Sequence, residues 1–269
     1  IPSTAPHVRE LIVALFAARF RSTARRPSKT TAQDSPARRG ATVSSQTRAA
    51  SDAVTDAATS GPAVIVTAVH RDRRCRTWAG PAPGRPAEAN LAMGFGRVNQ
   101  AAISALPARA VHGLKRVAVV DFDVHHGNGT QDIFWNDKDL FYGSTHQMPL
   151  YPGTGAASET GVGNIFNAPL KAGDGKEEFR AAMLGVILPA LNLFEPELII
   201  ISAGFDAHVR DPLGSLKLVE EDFAWATLEI MDIADRHCDS KIVSVLEGGY
   251  DLQGLAVGVG AHLQTLLHG

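Results

Sequence analysis

Four short apolar runs constrain the second half of the chain: KRVAVVDFD (115–123), DLFYGST (139–145), ELIIISAGFD (197–206) and KIVSVLEGGYD (241–251). Their length, and in three of them their β-branched content, predicts buried strands. Between and after them, KEEFRAAMLGVILPALNLF (176–194), LVEEDFAWATLEIMDIADRH (218–237) and LAVGVGAHLQTLLH (255–268) carry apolar residues at helical spacing. Strands alternating with helices predict an α/β fold, a single domain whose mainly parallel sheet has helices on both faces. Ligands of such folds collect at the carboxyl ends of the strands. Three of the four runs end in a polar signature at that point.

With 269 residues, 45% of them hydrophobic, the chain is long enough for one large core. It has no apolar run long enough for a transmembrane helix, so no membrane partner is expected. Its two cysteines, Cys75 and Cys238, form no paired motif, which points to a reducing compartment and a cytoplasmic location. Residues 1–50 carry nine basic groups against Glu10 and Asp34, a balance of +7; the net charge of −2 leaves −9 for the rest. A basic footprint for nucleic acid is therefore absent from the body of the chain. Residues 1–80 read as an atypical basic, low-complexity extension, expected to be disordered or poorly defined.

The stretch DFDVHHGNGT (121–130) holds the densest chemistry. A strand repeats every second residue, so Asp121, Asp123 and His125 point to one side while the chain stays extended. Carboxylate and imidazole so placed can bind one cation, and a catalytic zinc uses three protein ligands with one position open. Asp206, at another strand end in SAGFDAHVRDPLG, is the candidate third ligand. A binuclear, arginase-like centre would prefer an aspartate two residues beyond the histidine, where this chain has Gly127.

Together, DFDVHHGNGTQDIF, YPGTG, SAGFDAHVRDPLG and LEGGYDL resemble the zinc-dependent histone deacetylase family, in the branch of class II enzymes and bacterial acetylpolyamine amidohydrolases. The similarity runs over about residues 87–269, and residues 81–269 would form the deacetylase-like catalytic domain, incomplete at its N-terminus. Asn128 follows the class II pattern. The resemblance implies one zinc per chain on Asp123, His125 and Asp206, and a zinc-assisted hydrolysis of an acetylated lysine or acetylpolyamine. It also implies Tyr250 as the oxyanion donor and Asp121 as a partner of the catalytic histidines. Gly94, Phe95, Tyr151 and Gly249 would line the acyl channel. Asp121 and Ser144 would hold a monovalent cation such as potassium, and His126 would be buried and structural.

One departure stands out. The family places a histidine pair, base and acid, just before the M-G-F segment; here PGRPAEANLAMGFG has Arg85 and Pro86. Arginine keeps its proton at any accessible pH, and proline has none to exchange. Two explanations fit: a degenerate member that binds acyl-lysine or polyamine without turnover, or an N-terminal third that is not the authentic partner of the rest.

Overall fold

A computed structural model describes residues 63–69, 76–81 and 99–269. The expectations for Cys75, Arg85, Pro86, Gly94, Phe95 and residues 1–62 lie outside the described residues. A seven-stranded sheet forms from β1 (Ala63–Val69), β2 (Arg76–Pro81), β3 (Val117–Asp121), β4 (Leu140–Gln147), β5 (Ile165–Leu170), β6 (Leu198–Ala203) and β7 (Ile242–Leu246). Its order is β2-β1-β7-β6-β3-β4-β5. From β7 to β5 every pairing is parallel, whereas β1 pairs antiparallel with both β2 and β7.

The helices are α1 (Gln100–Ala110), α2 (Asn128–Phe134), α3 (Lys176–Ala182), α4 (Leu188–Phe194), α5 (Glu220–His237) and α6 (Leu252–His268). A π-turn, Met183–Ile187, joins α3 to α4, and there the Leu188 N–H donates to the Met183 carbonyl. Pro189 follows at once and has no N–H for the α-helical ladder. The predicted helix over 176–194 is thus one apolar rod with a widened turn.

Alternation along β3 divides the core. Ala118 and Val120 join Ile199 and Ile201 against Phe179, Met183, Phe223 and Ile230 of α3, the π-turn and α5. Val117 and Val119 face the other way, with Ile200 and Tyr142, onto Ala101, Ala105 and Phe134 of α1 and α2. Helices therefore cover both faces, as the strand–helix alternation predicts.

Five elements differ from the sequence expectation. β1 and most of β2 fall inside the stretch read as a poorly defined extension. Edge strand β5 carries Asn167 and Pro169, residues that weaken a strand signal but are tolerated at an edge. Pro107 and four small buried alanines hide α1 from a periodicity reading, and α2 has only seven residues.

Between α5, β7 and α6 lies a buried hydrogen-bond chain. The Thr227 hydroxyl donates to the Phe223 carbonyl at 2.6 Å, so its oxygen accepts from His262 Nδ1 at 2.6 Å. His262 Nε2 then accepts from the Ser244 hydroxyl at 2.8 Å. Burial, between Phe122 and Phe205 edges, holds the imidazole neutral and pushes its pKa down to about 3. In the unfolded chain this histidine protonates near pH 6.5, so the unfolded state binds the extra proton between pH 6.5 and 3. Stability should fall as pH drops through that window, by up to about 1.4 kcal/mol per unit from this residue. Urea unfolding at stepped pH should show a shallower acid slope, by about one proton, in His262→Gln; an unchanged slope would contradict a neutral buried His262.

Candidate metal centre

The order of the parallel strands reverses beside β3: the chain runs outward through β4 and β5, then returns to the opposite side as β6. A crevice forms where neighbouring strands send their connections apart. Asp121 ends β3 in register with Ser144 of β4 and Ser202 of β6, so three strand tips meet at one level.

The alternation of β3 continues beyond its last ladder bond. Phe122 and Val124 stay in the core, and Asp121, Asp123 and His125, which alternate with them, turn to the opposite side. Each carboxylate shapes the backbone two residues ahead, as aspartate does in tight turns. Asp121 Oδ1 accepts the Asp123 N–H at 3.1 Å, and Asp123 Oδ1 accepts the His125 N–H at 2.8 Å. His125 Nδ1 then lies 3.0 Å from Asp123 Oδ1 and 3.0 Å from Asp206 Oδ2. The outer oxygens are also held: Asp206 Oδ1 accepts from Val124 N at 2.9 Å, and Asp123 Oδ2 from Gly248 N at 2.8 Å. All three side chains are buried, Asp206 completely.

Two glycines make this crowding possible. A Cβ on Gly248 would overlap Asp206 Oδ2, and one on Gly204 would overlap the Asp123 carboxylate. The sequence pairs A-G-F-D and E-G-G-Y therefore bring backbone to within contact of the two aspartates.

The charge balance is lopsided. Burial pushes Asp206 up to about 7, helped by repulsion from Asp123. Burial also opposes charge on Asp123, but the hydrogen bond and charge of His125 outweigh it and keep this carboxyl low. Desolvation likewise opposes a charged His125, yet both carboxylates raise it to about 9. Asp121 and Glu247, just behind, are raised by burial first and by Asp123 second, Glu247 to about 8. Two buried carboxylates thus face one imidazole, with Asp121 and Glu247 near Asp123, an acid-rich setting that favours a cation.

The donor set fits zinc. The ligating atoms of Asp123, His125 and Asp206 all lie within 4.8 Å of one another. Tetrahedral ligands about 2.0–2.1 Å from zinc are roughly 3.3 Å apart, near the two 3.0 Å separations found. Two carboxylates and one imidazole also match zinc's mixture of oxygen and nitrogen donors.

Surrounding residues complete the setting. Tyr142, fully buried, donates to Asp121 Oδ2 at 2.9 Å and accepts the Gly127 N–H at 2.9 Å. His146 Nε2 donates to the Gly155 carbonyl, so its Nδ1 accepts the Ser144 hydroxyl at 2.9 Å. Burial and the neighbouring His126 hold His146 neutral, down at about 4. His126 is buried, as expected, with Nδ1 2.7 Å from the Thr154 hydroxyl and Nε2 3.1 Å from Gln131 Oε1. Through Thr154 it secures the loop that presents Tyr151, 47% exposed. Gly249 has a φ of +148° and leads to Tyr250, 39% exposed. Asn128 opens α2.

Sequence reasoning missed Tyr142, Glu247, Ser202 and Asp211. An aromatic inside a strand reads as core, and Tyr142 gives no other signal. Glu247 did give one, since it stands directly after an apolar run and before two glycines, at a strand end where site residues of such folds collect. Its Oε1 accepts the Ser202 hydroxyl at 3.0 Å.

The profile of the histone deacetylase domain matches residues 5–266. Histone deacetylase 10, chloroplastic, of Oryza sativa subsp. japonica is 42% identical over 69% of this chain and 43% of its own length. A probable deacetylase of Archaeoglobus fulgidus is 42% identical over 64% of this chain and 49% of its own. The crystal structure of the HDA15 HD domain superposes with a TM-score of 0.65 at 41% identity, covering 69% of this chain and 53% of that one. The chain thus spans about half the length of these relatives. On the strength of the domain match, the chain belongs to the histone deacetylase family.

Proposed function

We propose that this chain carries a zinc-dependent deacylase centre that hydrolyses the amide of an acetylated lysine or acetylpolyamine. The observation that supports it most is the convergence of Asp123, His125 and Asp206 at the tips of β3 and β6. These three residues would hold one zinc. When bound, zinc supplies a Lewis acid for the amide carbonyl and for the attacking water.

The remaining work falls to the protein. Tyr250 donates its phenol hydrogen to the carbonyl oxygen as negative charge develops there, a contact stronger in the transition state than in the ground state. Tyr151 and Gly249 would line the channel for the acyl-bearing methylene stem, and the family resemblance assigns Gly94 and Phe95, outside the described residues, to the same role. Asp121 and Ser144 flank a potassium-type cation; the Ser144 hydroxyl hydrogen points at His146, which leaves the oxygen lone pairs to face such an ion. Asp121 spends both oxygens locally, on Tyr142 and on the Asp123 amide, and so orients the metal-ligand segment.

A second reading, a silent acyl-lysine or polyamine binding module, is favoured by Arg85 and Pro86. Those residues occupy the positions of the base and acid, and neither can exchange a proton with water or a leaving amine. General acid–base catalysis contributes roughly 10²–10⁴-fold, so turnover should be slow by about that factor.

No described helix is long and apolar enough to cross a membrane. The reading assigns an acetylated amine as partner and no nucleic acid.

Two outcomes are expected. Titration with zinc should give one tight site per chain. Asp123→Ala and Asp206→Ala should each weaken it by more than about 100-fold, beyond the usual effect of losing an outer hydrogen-bond partner; unchanged affinity in either would remove the centre. Hydroxamate binding compared with turnover of an acetyl-lysine peptide separates the two readings, since binding without turnover marks the silent module. Arg85→His combined with Pro86→His should then raise turnover by roughly 10²–10⁴-fold, and no gain would place the defect elsewhere.

A further inference from the structure

Tyr250 is 39% exposed, and the chain before it turns at Gly249, where φ is +148°. Its backbone is held by a carboxylate on the neighbouring loop. Asp211 is buried, 7% exposed, and its Oδ2 accepts the Tyr250 N–H at 2.7 Å and the Asp251 N–H at 3.3 Å. Its Oδ1 accepts the Leu213 N–H at 2.9 Å. Both oxygens of Asp211 are therefore aimed at backbone donors, and a charged acceptor makes such bonds about twice as strong as neutral ones.

The neighbouring residue reinforces the same junction. Arg210 Nε donates to Asp251 Oδ1 at 3.0 Å, and that oxygen also caps α6 through the Gly254 N–H at 2.7 Å. Residues 210 and 211 thus grip residues 250 and 251. The gripping loop is the one that begins with Asp206, and it is closed on itself by Val209 N to Leu218 O at 2.8 Å and Leu218 N to Ala207 O at 3.2 Å. Just before Tyr250, Gly248 is held from two sides: its carbonyl accepts from Phe205 N at 2.7 Å, and its N–H donates to Asp123.

We propose that Asp211 is a positioning residue that sets the Tyr250 phenol relative to the Asp123–His125–Asp206 cluster by locking the Tyr250 and Asp251 amides to the Asp206 loop. The proposal rests on the deacylase reading above. Its physical basis is that a catalytic donor must be held to within about half an ångström of its productive place by its supporting residues. Here a single hydrogen-bonded loop carries both Asp206 of the cluster and the anchor of the donor, which ties the position of one to the other.

The test is a double-mutant cycle on the full, zinc-loaded chain, read as affinity for an aryl hydroxamate whose carbonyl accepts from the phenol. Tyr250→Phe removes one hydrogen bond and should weaken binding about tenfold. Asp211→Ala should weaken it by a similar factor and add nothing in the Tyr250→Phe background, because its effect passes through the phenol. Zinc affinity should be unchanged by Asp211→Ala. Asp211→Asn, which keeps one acceptor oxygen and covers the case of a poorly folding alanine variant, should lose about threefold, again only when the phenol is present. Wild-type affinity in the Asp211 variants, an equal loss in both backgrounds, or a weakened zinc site would each overturn the proposal. Failure of the unmodified chain to bind zinc or hydroxamate would overturn the deacylase reading itself, and is seen before any variant is made.

Discussion

Everything in the crevice answers to the crowding of two buried carboxylates against one imidazole nitrogen, both at 3.0 Å. Isolated ionised carboxylates are expensive to bury, and they persist only where partners surround them. Here the partners are largely backbone: Val124 N–H on Asp206, His125 and Gly248 N–H on Asp123. Those amides are available because the strands have just ended and their ladder has released them. The reversal of strand order beside β3 opens the space, and Gly204 and Gly248 keep it from being filled by Cβ atoms.

How much of this was legible in the sequence depended on what each residue needed to reveal itself. Asp123 and His125 were readable because an apolar run with polar residues at alternate positions fixes the side to which they point, and Asp206 because it is an acid just past the end of another apolar run. The parallel sheet was readable from β-branched runs spaced by amphipathic helices. α1 and β5 were not, because small alanines and internal prolines erase periodicity even where tertiary packing makes the element stable. β1 and β2 were hidden by their setting, short apolar stretches inside an Arg- and Ala-rich region. Asp211 was invisible for another reason: its role lies in which amides it meets, 39 and 40 residues along the chain, and no local pattern encodes that.

Arg85 and Pro86 separate two requirements that a metal hydrolase normally meets together. Holding an ion needs buried donors at fixed spacing, and Asp123, His125 and Asp206 stand together just beyond the ends of β3 and β6. Moving protons needs groups that titrate near neutrality, and the two substituted residues have none. Under the proposed deacylase reading, affinity for an acyl ligand and the rate of its hydrolysis would be set by different parts of this chain and could be lost independently.

The meeting of His125 with Asp206 joins residues 81 apart in the chain. A divalent ion held there would tie β3, early in the parallel sheet, to the loop leaving β6, much later. It would act as a removable cross-link that closes a long loop and restricts the unfolded chain, the entropic part of which grows only slowly with loop length. Loading would then stiffen the seam at the middle of the sheet, and metal depletion would loosen the molecule at its centre before its edges.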